Sequence, residues 1–295
     1  HYLGIATFRE ALRWSSNIGL VKSAQVLEND EWYAMLRRLG FGAPTGVDLP
    51  GEGSGILYPV HKWTKFSRTS LPMGYEMALT PLQIGAAISS IINGRNYYDP
   101  YVVAAIHDSR GNVLKTHEAI PERRVIRPTT SAIMRDLMED IVVHGTGTKA
   151  QVPGYRVGGK TGTTRKSSVF THREYIASFA GALPINDPRV VIYVYVDNPR
   201  DEYYASQVAA PAFQEIARAC VLHLSIPPNE EPLLEQQYQT VAQLPSIEDL
   251  EKQVANDRFA LFGRMPDFQG MTMAQVRVEL PRDLERIKFL GSGTV

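Results

Sequence analysis

Between Tyr155 and Asp197 the chain carries three strand-like segments in succession: Tyr155 to Thr164, Tyr175 to Leu183 and Arg189 to Asp197. Each is rich in the β-branched and aromatic residues that suit a pleated surface. The most apolar run of the whole sequence, Val190-Val191-Ile192-Tyr193-Val194-Tyr195-Val196, lies inside the third. It is far shorter than the ~20 residues a bilayer-crossing helix needs, and it suits a strand buried on both faces. A helical pattern from about Thr130 to Val143 precedes the strands, and an apolar one from Pro211 to Leu224, with Ala212, Phe213, Ile216 and Ala217, follows them. Helices flanking consecutive antiparallel strands predict an α+β architecture. With 295 residues the chain can bury a substantial core, as one large domain or two medium ones.

The rest of the chain hangs from this block. Phe8 to Trp14 and Asn17 to Leu27 are predicted helices, the second with Ile18, Val21, Ala24 and Leu27 at helical intervals. Asn29 or Asp30 is expected to cap a third, ending at Gly40. Residues 41–63 hold five glycines and three prolines and predict a long irregular loop. Thr80-Pro81 is an N-cap with proline at the first helical position, opening a helix through Ile92. Val102 to Ile106 and Val113-Leu114 flank Ser109-Arg110-Gly111-Asn112 as a hairpin. Past residue 226, Pro227-Pro228-Asn229-Glu230-Glu231-Pro232 breaks the chain. The predicted organisation is therefore a domain over 1–226, a linker over 227–261 and a segment over 262–295 too short to hold a core alone.

Composition removes several function classes. Thirty-one basic residues balance 31 acidic ones, which argues against a broad electrostatic grip on nucleic acid. A single cysteine, Cys220, excludes a disulfide framework and a Cys-rich zinc site, and the histidines show no metal-ligand spacing. No metal and no cofactor are expected. The opening His1-Tyr2-Leu3-Gly4 carries neither methionine nor a signal-like segment and reads as the interior of a longer protein.

The densest local chemistry lies between Gly145 and Thr164, where three string matches compete. Gly154-Tyr155-Arg156-Val157-Gly158-Gly159-Lys160-Thr161 satisfies the phosphate-loop pattern, but that mechanism needs a strand before the loop and a helix after it. Gln151-Val152-Pro153 is a poor strand end, and Gly162-Thr163-Thr164 is a poor helix start. Gly145-Thr146-Gly147-Thr148-Lys149-Ala150 spells a dinucleotide fingerprint without its βαβ unit, since Pro153 and Gly154 interrupt any helix. The third reading takes Lys160-Thr161-Gly162-Thr163 as a strand edge, with Lys160 and Gly162 on one face and Thr161 and Thr163 on the other. A lysine supplies positive potential, hydroxyls donate to a carboxylate, and glycine lets backbone approach a ligand. This is the K-T-G element of penicillin-interacting serine enzymes, whose companion S-x-N-type triplet matches Ser15-Ser16-Asn17 at a break between two helices. Alone, Lys160 would read as a solvated strand-end lysine, and Ser15 and Asn17 as helix caps. Their order, spacing and flanks together carry the assignment.

On those residues the chain resembles a class B penicillin-binding protein, a monofunctional peptidoglycan transpeptidase with a serine β-lactamase-like fold. The likeness runs over nearly all of 1–226. It includes Ser15-Ser16-Asn17-Ile18-Gly19, Leu49-Pro50-Gly51-Glu52, Met73-Gly74-Tyr75-Glu76, Thr80-Pro81-Leu82-Gln83, Gly145-Thr146-Gly147, Gly159-Lys160-Thr161-Gly162-Thr163 and Ala209-Ala210-Pro211-Ala212-Phe213. The division-type branch is the nearest in pattern, because Met265-Pro266-Asp267-Phe268-Gln269-Gly270-Met271-Thr272 resembles the start of a PASTA module.

The resemblance implies an acyl-enzyme mechanism on D-Ala-D-Ala stem peptides, in which one hard step is split into two. It implies that Ser15 relays a proton to the leaving amine and that Asn17 hydrogen-bonds the substrate amide. Lys160 would attract the terminal carboxylate and support Ser15, Thr161 and Thr163 would hold that carboxylate, Gly162 would give room between them, and the Thr163 N–H would form half of an oxyanion hole. It also implies β-lactam binding, division-complex membrane partners, and a periplasmic address held by an upstream transmembrane anchor. One departure stands out: no serine lies three residues before any lysine, so the S-x-x-K nucleophile is expected upstream of His1 and this chain alone is expected to be inactive. The competing functions are an inactive penicillin-fold scaffold or wall sensor, and a phosphate-loop NTPase. His144 is expected on the surface before a turn, Tyr203-Tyr204 as packing under the cleft rim, and Cys220 in the core.

Overall fold

The computed structural model describes residues 4–166 and 174–230, so the C-terminal segment and all but the first four residues of the expected linker lie outside the described residues. Three short helices open the chain: α1 (Phe8–Arg13), α2 (Asn17–Ala24) and α3 (Asn29–Arg38). There follow β1 (Ile56–Leu57), α4 (Ser67–Ser70), β2 (Met77–Ala78), α5 (Pro81–Ile92), β3 (Asn96–Tyr97), β4 (Ala105–His107), β5 (Val113–Thr116), β6 (Arg123–Arg124) and α6 (Pro128–His144). Three long strands, β7 (Gly158–Arg165), β8 (Tyr175–Leu183) and β9 (Val190–Asp197), and a closing helix α7 (Ala209–His223) complete the order.

The long strands form one antiparallel sheet in the order β7-β8-β9. Its register pairs Lys160 with Ala180 and Gly181 with Ile192. Helix α7 covers one face, where Phe179 and Phe213 are fully buried with ring centroids 4.7 Å apart. The other face packs Ala182 and Ile185 against Ile92 of α5 and Met138 of α6. The α+β expectation is met, and the strand and helix positions read from the sequence fall within a few residues of those observed.

Two expectations are corrected, and the two string matches argued against in the sequence find no support. Strand β9 is not buried on both faces: only Ile192 is buried, because β9 is the outer strand of the described sheet and its apolar residues stand half-exposed. The doubly buried strand is β8, held between two neighbours, where Ala177, Phe179 and residues 180–183 are all buried. The phosphate-loop reading also fails, since Gly158 to Arg165 is one continuous strand and no helix follows Lys160-Thr161 to present amides to phosphate. Finally, Glu28 rather than Asn29 or Asp30 precedes the third helix, its N–H donating to Glu31 at 3.0 Å. The dinucleotide string fares no better: Gly145 ends α6 and residues 148–150 form a single 3-10 turn.

The Gly/Pro-rich stretch 41–63 is held by two polar side chains. Glu52 accepts from Thr45 N and Oγ1 at 2.6 Å and from Gly46 N at 3.0 Å. Gln83, wholly buried on α5, donates through Nε2 to Ala43 O at 2.7 Å and Ser54 O at 2.9 Å, while its Oε1 accepts from Thr80 N at 2.9 Å. Gln83→Ala strands two carbonyls and an N–H in a dry site. It should cost about 2–4 kcal/mol in a chemical-denaturation measurement, and a loss under about 0.5 kcal/mol would contradict this account of the loop. Among the described residues no helix is long and apolar enough to cross a membrane.

Candidate active site

The first wall of the site is the turn between α1 and α2. Helix α1 ends as Ser15 N–H donates to Leu12 O at 3.2 Å and Ser16 N–H to Ala11 O at 2.8 Å, with Ser15 in the left-handed region at φ 53°. Glycine usually takes that position after a helix, and a serine there costs roughly 1 kcal/mol. The capping predicted for this triplet falls to its middle residue: Ser16 Oγ accepts from Gly19 N at 3.3 Å and starts α2. Ser15 Oγ is thereby left for another partner. Gly19 keeps the two helices close, since a Cβ on it would lie 2.5 Å from Ala11 Cβ. Asn17, the first residue of α2, is exposed beside them.

The second wall is the edge strand β7. Lys160 Nζ donates to Ser15 Oγ at 2.8 Å and to Thr161 O at 2.9 Å, joining two triplets 145 residues apart in sequence. Burial draws the Lys160 ammonium down from its usual 10.5 to about 8, so near neutral pH it is charged yet able to give up its proton. Thr161 Oγ1 lies 2.7 Å from Thr146 Oγ1, and Thr163 Oγ1 accepts from Ala205 N at 3.0 Å. A hydroxyl that accepts still has its own hydrogen to give. One donor therefore remains in the Thr146–Thr161 pair and another on the exposed Thr163. Gly162 is needed for closeness: a Cβ on it would lie 2.8 Å from Ser178 Oγ, which donates to Gly162 O at 3.3 Å.

The structure thus brings Ser15, Lys160 and Thr161 into contact, with Asn17 two residues beyond Ser15 at the start of α2 and Thr163 further along the same strand edge. The alternation predicted for β7 holds. Gly159 lies under Phe179 on the α7 side, whereas Gly158 faces Ile185 and the α6 backbone on the other. Thr146 was missed as a site residue, although its motif Gly145-Thr146-Gly147 was visible; only the fold reveals that its hydroxyl meets Thr161. His144 is exposed as expected and pairs with Asp140 at 3.1 Å. Tyr203 stacks on Tyr175 with centroids 4.3 Å apart and touches the exposed Tyr204, directly before the Ala205 amide that holds Thr163. Cys220 is partly buried against the main core. No cluster of three or more potential metal ligands occurs among the described residues.

Chemically, this edge offers one half-buried cation, two hydroxyl donors and a serine–lysine proton path, all suited to a ligand with a terminal carboxylate. Comparison with known proteins agrees. The model of the penicillin binding protein transpeptidase domain matches residues 2–218. Stage V sporulation protein D of Bacillus subtilis is 34% identical over 266 residues, covering 86% of this chain and 41% of that protein. Penicillin-binding protein PbpB of Mycolicibacterium smegmatis is 34% identical over 74% of this chain and 36% of its own length. Among solved structures, the transpeptidase domain of Burkholderia pseudomallei penicillin-binding protein 3 superposes with a TM-score of 0.69 at 32% identity, covering 78% of this chain and 68% of that one. The aztreonam complex of Mycobacterium tuberculosis penicillin-binding protein 3 gives 0.69 at 29% identity, covering 76% and 53%. The chain therefore spans about two-fifths of the curated relatives it matches. A lysine-to-serine contact across 145 residues, on this sheet and with these relatives, has one consistent explanation: the chain belongs to the penicillin-binding protein transpeptidase family, on its class B, division-type branch.

Proposed function

We propose that the full-length protein is a peptidoglycan D,D-transpeptidase that works through an acyl-serine intermediate, and that this chain supplies the half of its active site that binds the carboxylate and moves the proton. The observation that carries the reading is the 2.8 Å hydrogen bond from Lys160 to Ser15. In the first step a serine attacks the carbonyl between two terminal D-alanines; the C–N bond breaks, an ester forms, and the departing amine takes a proton. Ser15 Oγ, hydrogen-bonded to Lys160, is suited to pass that proton. In the second step an amine from a neighbouring strand attacks the ester, and the proton returns along the same path.

Binding follows from the same groups. The terminal carboxylate of the donor peptide meets the Lys160 charge and the free hydroxyl hydrogens of the Thr146–Thr161 pair and Thr163. A charge pair at about 4 Å in a site of intermediate polarity is worth about 4 kcal/mol, a force that orients as well as binds. Asn17 hydrogen-bonds the substrate amide, and the Thr163 N–H stabilises the developing oxyanion. The nucleophile and its lysine are absent from this sequence, and by the family's motif order they belong ahead of the Ser15-Ser16-Asn17 triplet. The substrate class places the working protein outside the cytoplasmic membrane, anchored by a helix ahead of this chain, with β-lactams as inhibitors and division proteins as partners.

The test is turnover. The full-length protein, given a stem pentapeptide and a labelled D-amino acid, should release D-alanine and incorporate the label in equal amounts. A protein that takes up penicillin but never releases D-alanine from peptide would instead be a sensing scaffold.

A further inference from the structure

We propose that Arg13 and Asp140 form a positioning pair that sets Ser15 against Lys160, although neither side chain takes part in that contact. The proposal rests on the transpeptidase reading above.

The argument begins with what holds α1. That helix has six residues, and among them only Ala11 is buried; Phe8, on the same helix, is 49% exposed. Burial of one methyl group places a helix weakly, since the apolar stabilisation scales with area removed from water. Leu12 is half-buried as well, and two ion pairs tie α1 to α6. Arg9 pairs with Asp136, and Arg13 meets Asp140 through two parallel hydrogen bonds, Nε to Oδ2 at 2.7 Å and Nη2 to Oδ1 at 2.8 Å. The first pair is 41% and 61% exposed and would contribute little. The second is 26% and 10% exposed and bidentate, the arrangement that fixes direction as well as distance. Burial works against the Asp140 charge, yet bonds from Arg13 and His144 hold its carboxyl below the usual range.

Position on the chain gives this pair its consequence. Arg13 is the last residue of α1, two before Ser15, and Asp140 lies in the last turns of α6, five before Gly145. The two helices therefore end side by side, one leading into the Ser15 turn and the other into the segment whose Thr146 meets Thr161 on β7. At the junction the backbones nearly touch: a Cβ on Gly145 would lie 2.6 Å from Arg13 O, and Thr146 N–H donates to that same oxygen at 3.3 Å. A bond that long is weak. The ion pair is the strong link in a chain of contacts that runs Lys160, Thr161, Thr146, Arg13 and back to Ser15. If it breaks, the Ser15 turn can shift relative to β7, and a displacement of about 1 Å can cost ~10²-fold in rate.

The experiment uses the full-length protein and a fluorescent penicillin, measuring the limiting acylation rate and the half-saturating concentration separately, across pH. Arg13→Met and Asp140→Asn should lower the limiting rate by about 10- to 100-fold while changing the half-saturating concentration less than about threefold. Arg13→Lys, which keeps charge but not the fork, should fall between them and wild type. Arg9→Gln should stay within about twofold of wild type. The limb of the pH–rate profile that reports Lys160 should also move to higher pH in the Arg13 and Asp140 variants, because a displaced Ser15 turn lets water reach an ammonium that burial holds down. A pair needed only for folding would reduce the labelled fraction but leave rate and pH profile of the folded molecules unchanged, and that result overturns the proposal. Unfolding of Asp140→Asn at the assay temperature does the same. If wild type itself takes no label, the transpeptidase reading fails and the proposal falls with it.

Discussion

Lys160→Met in the full-length protein should lower penicillin acylation by at least ~10²–10³-fold, the size expected when a proton-transfer partner and an electrostatic anchor are lost together. The same change should not weaken the fold at neutral pH. Burial holds the Lys160 ammonium at about 8, below its unfolded value of 10.5, so the charged form is disfavoured in the native state. The sign follows directly. Below pH 8 the native protein carries the whole penalty, and between about pH 8 and 10.5 the penalty fades as the folded protein sheds its proton before the unfolded one does. Methionine carries no such penalty. Wild type should therefore gain stability relative to Lys160→Met, by up to roughly 3 kcal/mol, as pH rises from 7 to 10.5. Denaturation of both proteins at several pH values checks this, and a pH-independent difference would mean that Lys160 is solvated rather than buried. A residue kept for chemistry at the expense of stability is the pattern expected of an active site.

Gly159→Ala carries the largest structural effect. A Cβ there would lie 2.3 Å from Phe179 Cζ and 2.9 Å from Ala180 O. Phe179 is fully buried against Phe213, and Ala180 O belongs to the backbone of the central strand, so neither can retreat. Overfilling a packed core typically costs 1–3 kcal/mol, and the backbone clash puts this case at or above about 3. The consequence reaches function because Gly159 immediately precedes Lys160: a strand pushed off Phe179 carries the ammonium away from Ser15. Denaturant titration should show the loss. A folded Gly159→Ala protein with wild-type stability and labelling would show that β7 does not sit as tightly on β8 as described.

The parts of the fold written in local rules were legible. Thr80-Pro81 opened α5 at the expected residue because capping and proline at the first helical turn are near-neighbour effects. Tyr175 to Leu183 was bounded correctly because β-branched and aromatic residues between turn signals are likewise local. Strand β9 was misjudged because an apolar run reports composition, whereas burial depends on which strand lies at the sheet edge. The same divide runs through the site. Ser15 and Lys160 could be paired from motif order, but the left-handed backbone of Ser15, the Thr146–Thr161 contact and the Arg13–Asp140 fork are long-range results of how α1 and α6 end together. No spacing rule encodes them.

The most direct measurement of the central claim is intact-mass analysis after exposure to a fluorescent penicillin, on this chain and on the full-length protein. The account predicts a single penicilloyl adduct on the full-length protein and none on this chain, which has the lysine and serine of the proton path but no S-x-x-K nucleophile. An adduct on this chain alone, or no adduct on either, would contradict it.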